Sequence, residues 1–148
     1  MVVGTRREAR ERALGLLYEA DAKGQDGVRV LDELPVPPDP FVTELVRGVG
    51  ARVGEIDLLI SAHSIDWALE RLPVVDRTVL RMAIWELLAR TDVPIGVVIS
   101  EAVELAKRYS TEDSGRFVNG VLAAVAAQVR ATDVPAAQVR DPAEASGS

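Results

Sequence analysis

Four arginines in the first twelve residues form the grouping best suited to bind an anion. They share this stretch with two glutamates, which leaves a local side-chain charge of +2; the arginines are Arg6, Arg7, Arg10 and Arg12. On a helix, Arg6 and Arg10 lie one turn apart, and the free N–H groups of a helix N-terminus also attract anions. The spacing is typical of a phosphate-binding surface and also of a solvated first turn in which arginines pair with glutamates. Spacing alone slightly favours the solvated turn.

One further side chain could contact an unpaired nucleobase, and another short segment is unusual for a helix. Tyr18 lies eight residues beyond Arg10, which is roughly 12 Å along a helix axis. An exposed ring beside a basic surface can stack on a base, although a buried ring is the usual alternative. Asn119 and Gly120 fall inside a helical period, where a poor helix former is often kept for a polar contact or for close packing. Both alternatives stay open for each residue.

The composition argues for binding rather than catalysis. The chain has no cysteine and a single histidine, His63, which excludes a disulfide framework, a thiolate zinc site and a cysteine nucleophile. Glu101 and Glu104 lie three residues apart, but paired carboxylates act as acid and base only in a pocket that raises a pKa, and a solvated helix face is favoured. We therefore predict a protein that is not an enzyme and that holds no metal or cofactor.

The overall charge is acidic, which disfavours a general nucleic-acid binder. The 148 residues carry 17 Lys and Arg against 23 Asp and Glu, for a net charge of −6. A local positive field can still attract phosphate. The sequence contains no apolar run long enough to span a membrane and no secretory signal, and the absence of cysteine fits the cytoplasm.

Helices must position these side chains. Apolar residues recur with a helical period, and the predicted helices cover 6–23, 26–34, 41–62, 66–71, 74–91, 95–109 and 114–130. Four prolines in 35–40 predict a stiff loop, and Asp113 with Ser114 predicts the start of the last helix. Gly48, Gly50 and Gly54 weaken the helix over 41–62 but could let another helix approach closely. We expect one all-α domain over 1–130 and a frayed or disordered tail over 131–148.

Three segments together resemble the NusB family of bacterial transcription antitermination factors. The first is the arginine-rich segment 6–21, RREARERALGLLYEAD; the second is VVDRTVLRMAIWELLARTDVP at 74–94. The third and most specific is ISEAVELAKRYSTEDSGRFVNGVL at 99–122. The resemblance extends to about residue 130. It implies an all-helical bundle of about seven helices, made of two packed three-helix sub-bundles and an extra helix, without enzymatic activity.

The resemblance also implies partners and contact residues. Family members pair with NusE, a small-subunit ribosomal protein, and the pair binds the single-stranded boxA element of nascent RNA, which helps RNA polymerase pass terminators on ribosomal RNA operons. The implied RNA-binding residues are Arg6, Arg7, Arg10, Tyr18, Phe117 and Asn119. The implied NusE contacts are Asp76 and Asp113. Glu8 stands where some relatives have a third consecutive arginine, which affects the expected RNA affinity and not the fold.

Other interpretations remain at this point. Some relatives form homodimers that cover the RNA and NusE surface, so a masked homodimer is an alternative state. Ribosomal RNA cytosine methyltransferases carry a NusB-like N-terminal domain, but such an enzyme needs a downstream α/β cofactor domain. A helical oligomerisation module without an RNA role is the third alternative. Binding of the ribosomal protein and of RNA would separate these interpretations.

Overall fold

Seven α-helices and one short 3₁₀ turn make up the regular structure that the computed structural model describes, over residues 5–65 and 67–131. The helices are α1 (Arg6–Lys23), α2 (Gly27–Asp32), α3 (Pro40–Ala51), α4 (Val53–His63), α5 (Val74–Ala89), α6 (Ile95–Tyr109) and α7 (Glu112–Val129). The 3₁₀ turn, Leu69–Arg71, lies between α4 and α5. No strand occurs in these ranges, which confirms the all-α prediction.

Local hydrogen bonds set the limits of α1. Thr5 accepts from the backbone N–H of Glu8, and the Glu8 carboxylate accepts from the Thr5 N–H, which makes a capping box. These bonds, led by the one from the Thr5 backbone, lower the pKa of Glu8. The helix ends at Gly24, whose φ of 62° places it in the left-handed region. Glu8 is therefore engaged in starting the helix.

The helix predicted over 41–62 and the predicted start of the last helix differ from the structure. The segment predicted as one helix over 41–62 forms α3 and α4, and the break falls at Arg52, with φ −123° and ψ 20°. Glycines on both sides of Arg52 lower helix propensity, which makes a break there inexpensive. The last helix takes Thr111 as its N-cap rather than Asp113 and Ser114, because the Thr111 side chain accepts from the Ser114 N–H.

Two predictions fall partly on undescribed residues. The short helix predicted over 66–71 is the 3₁₀ turn Leu69–Arg71, and Asp66 lies outside the described residues. The tail predicted over 131–148 also lies outside them, except for Ala131.

The helices pack as two groups of three with α4 between them. Helices α1, α2 and α3 contact one another, and so do α5, α6 and α7, while α4 packs on α5 and α7. This arrangement matches the two predicted sub-bundles and the extra helix. Helix α5 also contacts α1 and α3, and its side chains Leu80, Ile84 and Leu87 are at most 1% exposed. The core therefore runs along α5, where the two groups meet.

Ion pairs reveal the directions of the helices around α1. Asp21 near the end of α1 pairs with Arg77 near the start of α5, at 3.3 Å. Arg10 near the start of α1 pairs with Glu86 near the end of α5, so these helices are antiparallel. Arg7 and Glu11 pair with Glu101 and Arg108 in that order, so α1 and α6 are parallel. The N-terminal end of α1 therefore lies beside the C-terminal end of α5, away from the start of α5.

Gly48 allows α3 to pack directly against Trp85 of α5. A Cβ placed at Gly48 would overlap the indole Nε1 and Cε2 atoms, whereas a Cβ at Gly15, on the exposed side of α1, would meet nothing within 4 Å. The structure thus confirms close approach at Gly48.

We expect Gly48→Ala to lower the free energy of unfolding by about 1–3 kcal/mol, because the indole ring must shift out of a packed core. Gly15→Ala, the matched control, should raise it by about 0.5–1 kcal/mol through helix propensity. Urea unfolding of both variants measures the difference. Equal effects of the two substitutions would contradict the close contact.

Candidate nucleic-acid and partner interface

Arg10 is buried, unlike the exposed phosphate ligand that its spacing suggested. The residue is 4% exposed, and its guanidinium donates to both carboxylate oxygens of Glu86 on α5, at 2.9 and 2.8 Å. A second carboxylate, Glu101, lies 3.9 Å from Arg10 Nη1. The period of α1 places position 10 on the same side as its apolar residues, and Glu86 supplies the countercharge that burial requires. Arg10 is therefore not open to solvent as a phosphate ligand.

Arg7 remains at the surface but is paired. Its side chain is 59% exposed and donates to both oxygens of Glu101 on α6, at 3.0 and 2.7 Å. This hydrogen bond, more than any other cause, lowers the pKa of Glu101. Glu101 was expected on a solvated helix face, but its side chain is only 16% exposed. It joins α6 to the arginine-bearing end of α1.

The ring of Phe41 gathers three guanidinium groups. Arg6 lies 4.4 Å from the ring centroid, Arg90 5.3 Å and Arg10 5.6 Å, all within cation–π range. Arg90 also binds Asp92, which lowers the pKa of Asp92 to about 2. Sequence analysis missed Phe41 and Arg90, because they come from α3 and from the end of α5, far from α1 along the chain.

The arginines at this end are balanced by carboxylates. Arg7 pairs with Glu101, Arg10 with Glu86, and Arg90 with both Asp92 and Glu44. Including Arg6, four guanidinium groups therefore face four carboxylates. This end of the molecule presents arginine side chains without a strong net positive charge.

Tyr18 lies on the exposed face of α1. It is 49% exposed and comes eleven residues, about three helical turns, after Arg7, so the two side chains share a face. Tyr109, at the end of α6, is equally exposed and donates a hydrogen bond to Glu11 at 2.6 Å. That bond lowers the pKa of Glu11. The neighbouring faces of α1 and α6 thus carry two exposed rings.

A cavity of about 260 Å³ brings together Phe117, Asp76 and Asp113. It opens between the starts of α5 and α7, and its wall includes Trp67, which is 53% exposed. Asp113 is exposed and pairs with Arg116. Asp76 is 4% exposed, and its Oδ1 atom has no hydrogen-bond partner among the described residues. A buried acceptor without a partner is costly, so a donor from outside the chain would be favourable here.

Asn119 does not line this cavity. It is exposed on α7, two residues after Phe117, and two residues correspond to about 200° around a helix. Its side chain therefore leaves α7 on the side opposite to Phe117.

The predicted contact residues form two clusters rather than one. Arg6, Arg7 and Arg10 lie near Glu86 and the end of α5, whereas the Phe117 cavity lies at Asp76, ten residues or about 15 Å earlier on that helix. Asp21 pairs with Arg77, the residue that follows Asp76 on α5. Tyr18 comes three residues before Asp21, so Tyr18 lies toward the cavity end of the molecule. A ligand that contacts both clusters must run along the molecule.

Two features are absent from residues 5–65 and 67–131. No group of three or more His, Asp or Glu side chains could hold a metal ion. None of the helices there combines the length and the apolar character needed to cross a membrane.

Comparison with known proteins gives consistent matches over most of the chain. The sequence model described as the NusB family matches residues 7–127. The transcription antitermination protein NusB of Saccharopolyspora erythraea is 49% identical over 131 residues, which cover 84% of this chain and 88% of that protein.

Solved structures match the fold. NusB of T. maritima superposes with a TM-score of 0.81 at 38% identity, covering 89% of this chain and 98% of that chain. A crystal structure of antitermination factors NusB and NusE in complex with dsRNA contains a chain that superposes with a TM-score of 0.71 at 31% identity, covering 83% of this chain and 96% of that chain. The similarity therefore includes a chain solved together with a protein partner and RNA.

Proposed function

The chain belongs to the NusB family, and from this premise we propose that it acts in transcription antitermination, without catalysis and in the cytoplasm. In this proposal it binds NusE, the small-subunit ribosomal protein, and the pair binds single-stranded RNA of the boxA type, so that RNA polymerase passes terminators on ribosomal RNA operons. A homodimer that covers the RNA and NusE surface would be an inactive alternative to this complex.

The observation that carries the proposal is the cavity at the start of α5. Asp76 is buried beside it with an unpartnered carboxylate oxygen, and Asp113 adds a second acidic group at its wall. Ribosomal proteins are rich in Lys and Arg, whose side chains supply the donors that this oxygen lacks. A basic partner also suits a chain whose net charge is −6.

The arginine cluster supports a shared RNA site. Because its guanidinium groups are balanced by carboxylates, this chain alone offers little net attraction to phosphate. A basic partner docked at the cavity would supply the missing positive charge. We assign RNA contacts to Arg6, Arg7, Tyr18, Phe117 and Asn119, and we assign Arg10 the task of fixing α1 from beneath.

Asp76→Asn tests the partner contact. The substitution keeps the shape of the side chain and removes its charge, so we expect affinity for NusE, measured by calorimetry, to fall at least tenfold. The free energy of unfolding of the free protein should change little, because removing the charge at the buried, unpartnered Oδ1 offsets the loss of its attraction to the N-terminus of α5.

The matched control is Asp32→Asn. This substitution removes the carboxylate at the end of α2 from an exposed pair with Arg47 of α3, and it should leave NusE affinity unchanged. Wild-type affinity in Asp76→Asn would contradict the assignment of the cavity to the partner. Failure of the wild-type protein to bind NusE at all would overturn the proposed function.

A further inference from the structure

Arg6 covers the ring of Phe41 and has no polar partner in the part of the chain that the structure describes. Its guanidinium lies 4.4 Å from the ring centroid, and the residue is exposed, whereas Phe41 is only 9% exposed. Among the described residues, no hydrogen bond or ion pair holds the Arg6 guanidinium. The ring therefore lies beneath the Arg6 guanidinium on one side, while the residue as a whole is exposed to solvent.

The surroundings of the ring do not select for phosphate. The other two guanidinium groups near Phe41 are bound to carboxylates: Arg10 to Glu86, and Arg90 to Asp92 and Glu44. Three guanidinium groups and three carboxylates leave no net charge at this site. A phosphate ligand depends on net positive charge, whereas stacking of a base requires a flat exposed surface.

We propose that Arg6, held over the ring of Phe41, is a stacking platform for one unpaired nucleobase of the bound RNA. The inference rests on the proposed function and names the chemical group that this end of the site takes. Guanidinium planes stack on bases of single-stranded RNA, and the ring below removes rotational freedom from Arg6 before the RNA arrives. The platform can accept any of the four bases, because every base offers a π-face.

The test combines Arg6→Lys with abasic RNA. Lysine keeps the charge but has no plane to stack. The probe is a boxA-type single-stranded oligonucleotide, intact or with one abasic ribose at each position in turn, and its affinity for the complex with NusE is measured by fluorescence anisotropy. For the wild-type protein we expect one abasic position near this end of the site to weaken binding about tenfold through loss of stacking.

Arg6→Lys should bind intact RNA about tenfold more weakly and lose nothing further at that abasic position, since the stack is already gone. The slope of affinity against salt should stay unchanged, because the charge is retained. Arg12→Lys is the control: Arg12 is exposed on the same helix with no ring contact, and its variant should match the wild type.

Two results would overturn the inference. One is wild-type affinity of Arg6→Lys for intact RNA, and the other is the same loss at every abasic position in both proteins. Either result would leave the proposed function intact, because RNA is still bound. Absence of binding by the wild-type complex would overturn the proposed function together with this inference.

Discussion

Glu86→Ala is expected to lower the free energy of unfolding by about 3–5 kcal/mol. The substitution leaves the Arg10 guanidinium at a site that is 4% exposed, without the two hydrogen bonds that it donates to Glu86. Glu101, 3.9 Å away and already bound to Arg7, is a poor replacement. Urea unfolding followed by circular dichroism measures this loss of stability. Hydrogen exchange should also show faster exchange of the amide protons of α1.

Two control variants test whether the loss of stability comes from leaving Arg10 buried without its partner, rather than from removing a charged residue in general. The double variant Arg10→Met with Glu86→Leu removes both charges and fills the space, so its stability should be close to that of the wild type or higher. Glu19→Gln breaks an exposed pair with Lys23 and should change stability by about 0.5 kcal/mol or less. If Glu86→Ala were as mild as Glu19→Gln, Arg10 would have access to water, and its place as an RNA ligand would be restored.

Arg130→Ala is expected to lower the free energy of unfolding by about 3 kcal/mol. Arg130 follows α7 and is 2% exposed, and its guanidinium donates to four backbone oxygens at the end of α5: those of Glu86, Leu87, Arg90 and Val93. The last carbonyl groups of a helix lack partners within the helix, and Arg130 supplies donors to them. The Glu86 and Arg90 oxygens also accept backbone N–H groups. The removal of Arg130 therefore leaves chiefly the Leu87 and Val93 oxygens without a donor among the described residues. The cost is about 1–3 kcal/mol for each one that water cannot reach.

Thermal unfolding of Arg130→Ala, beside Arg130→Lys, measures this effect. Lysine can reach some of these oxygens but lacks the planar fork of arginine, so it should recover only part of the stability. Arg116→Ala is the control, because that side chain is 75% exposed, and its stability should stay within about 0.5 kcal/mol of the wild type. An equally small effect at Arg130 would show that the end of α5 is solvated.

Periodicity predicted the helices well because apolar side chains must face a core. The stripe on α7, for example, consists of residues that are buried in the structure, such as Val118, Leu122 and Val125. The break at Arg52 was missed, since apolar residues keep a helical period across it and only the glycines nearby signal a weak point. The periodicity of apolar residues shows which face of a helix is buried. Where the chain breaks into two helices with different axes depends on packing against other helices, which periodicity does not show.

The candidate site was predicted less completely, because side-chain partners lie far apart in sequence. Arg10 was placed on a charged surface, and its partner Glu86 is 76 residues away. The same holds for Arg6 and Phe41, which spacing within one helix could not connect. Asp76 was predicted only through family resemblance, because its buried, unpartnered oxygen depends on packing beside the start of α7, which is distant in sequence.

The two tryptophans, at positions 67 and 85, stand in opposite environments, and this gives the protein two separate optical reporters. Trp85 is 5% exposed against Gly48, whereas Trp67 is 53% exposed at the mouth of the cavity. Emission from the buried indole should follow unfolding alone. Emission from the exposed indole should shift to the blue when a partner covers the cavity. In a Trp85→Phe protein, the shift between the spectra taken before and after the partner is added would therefore record docking without any attached dye.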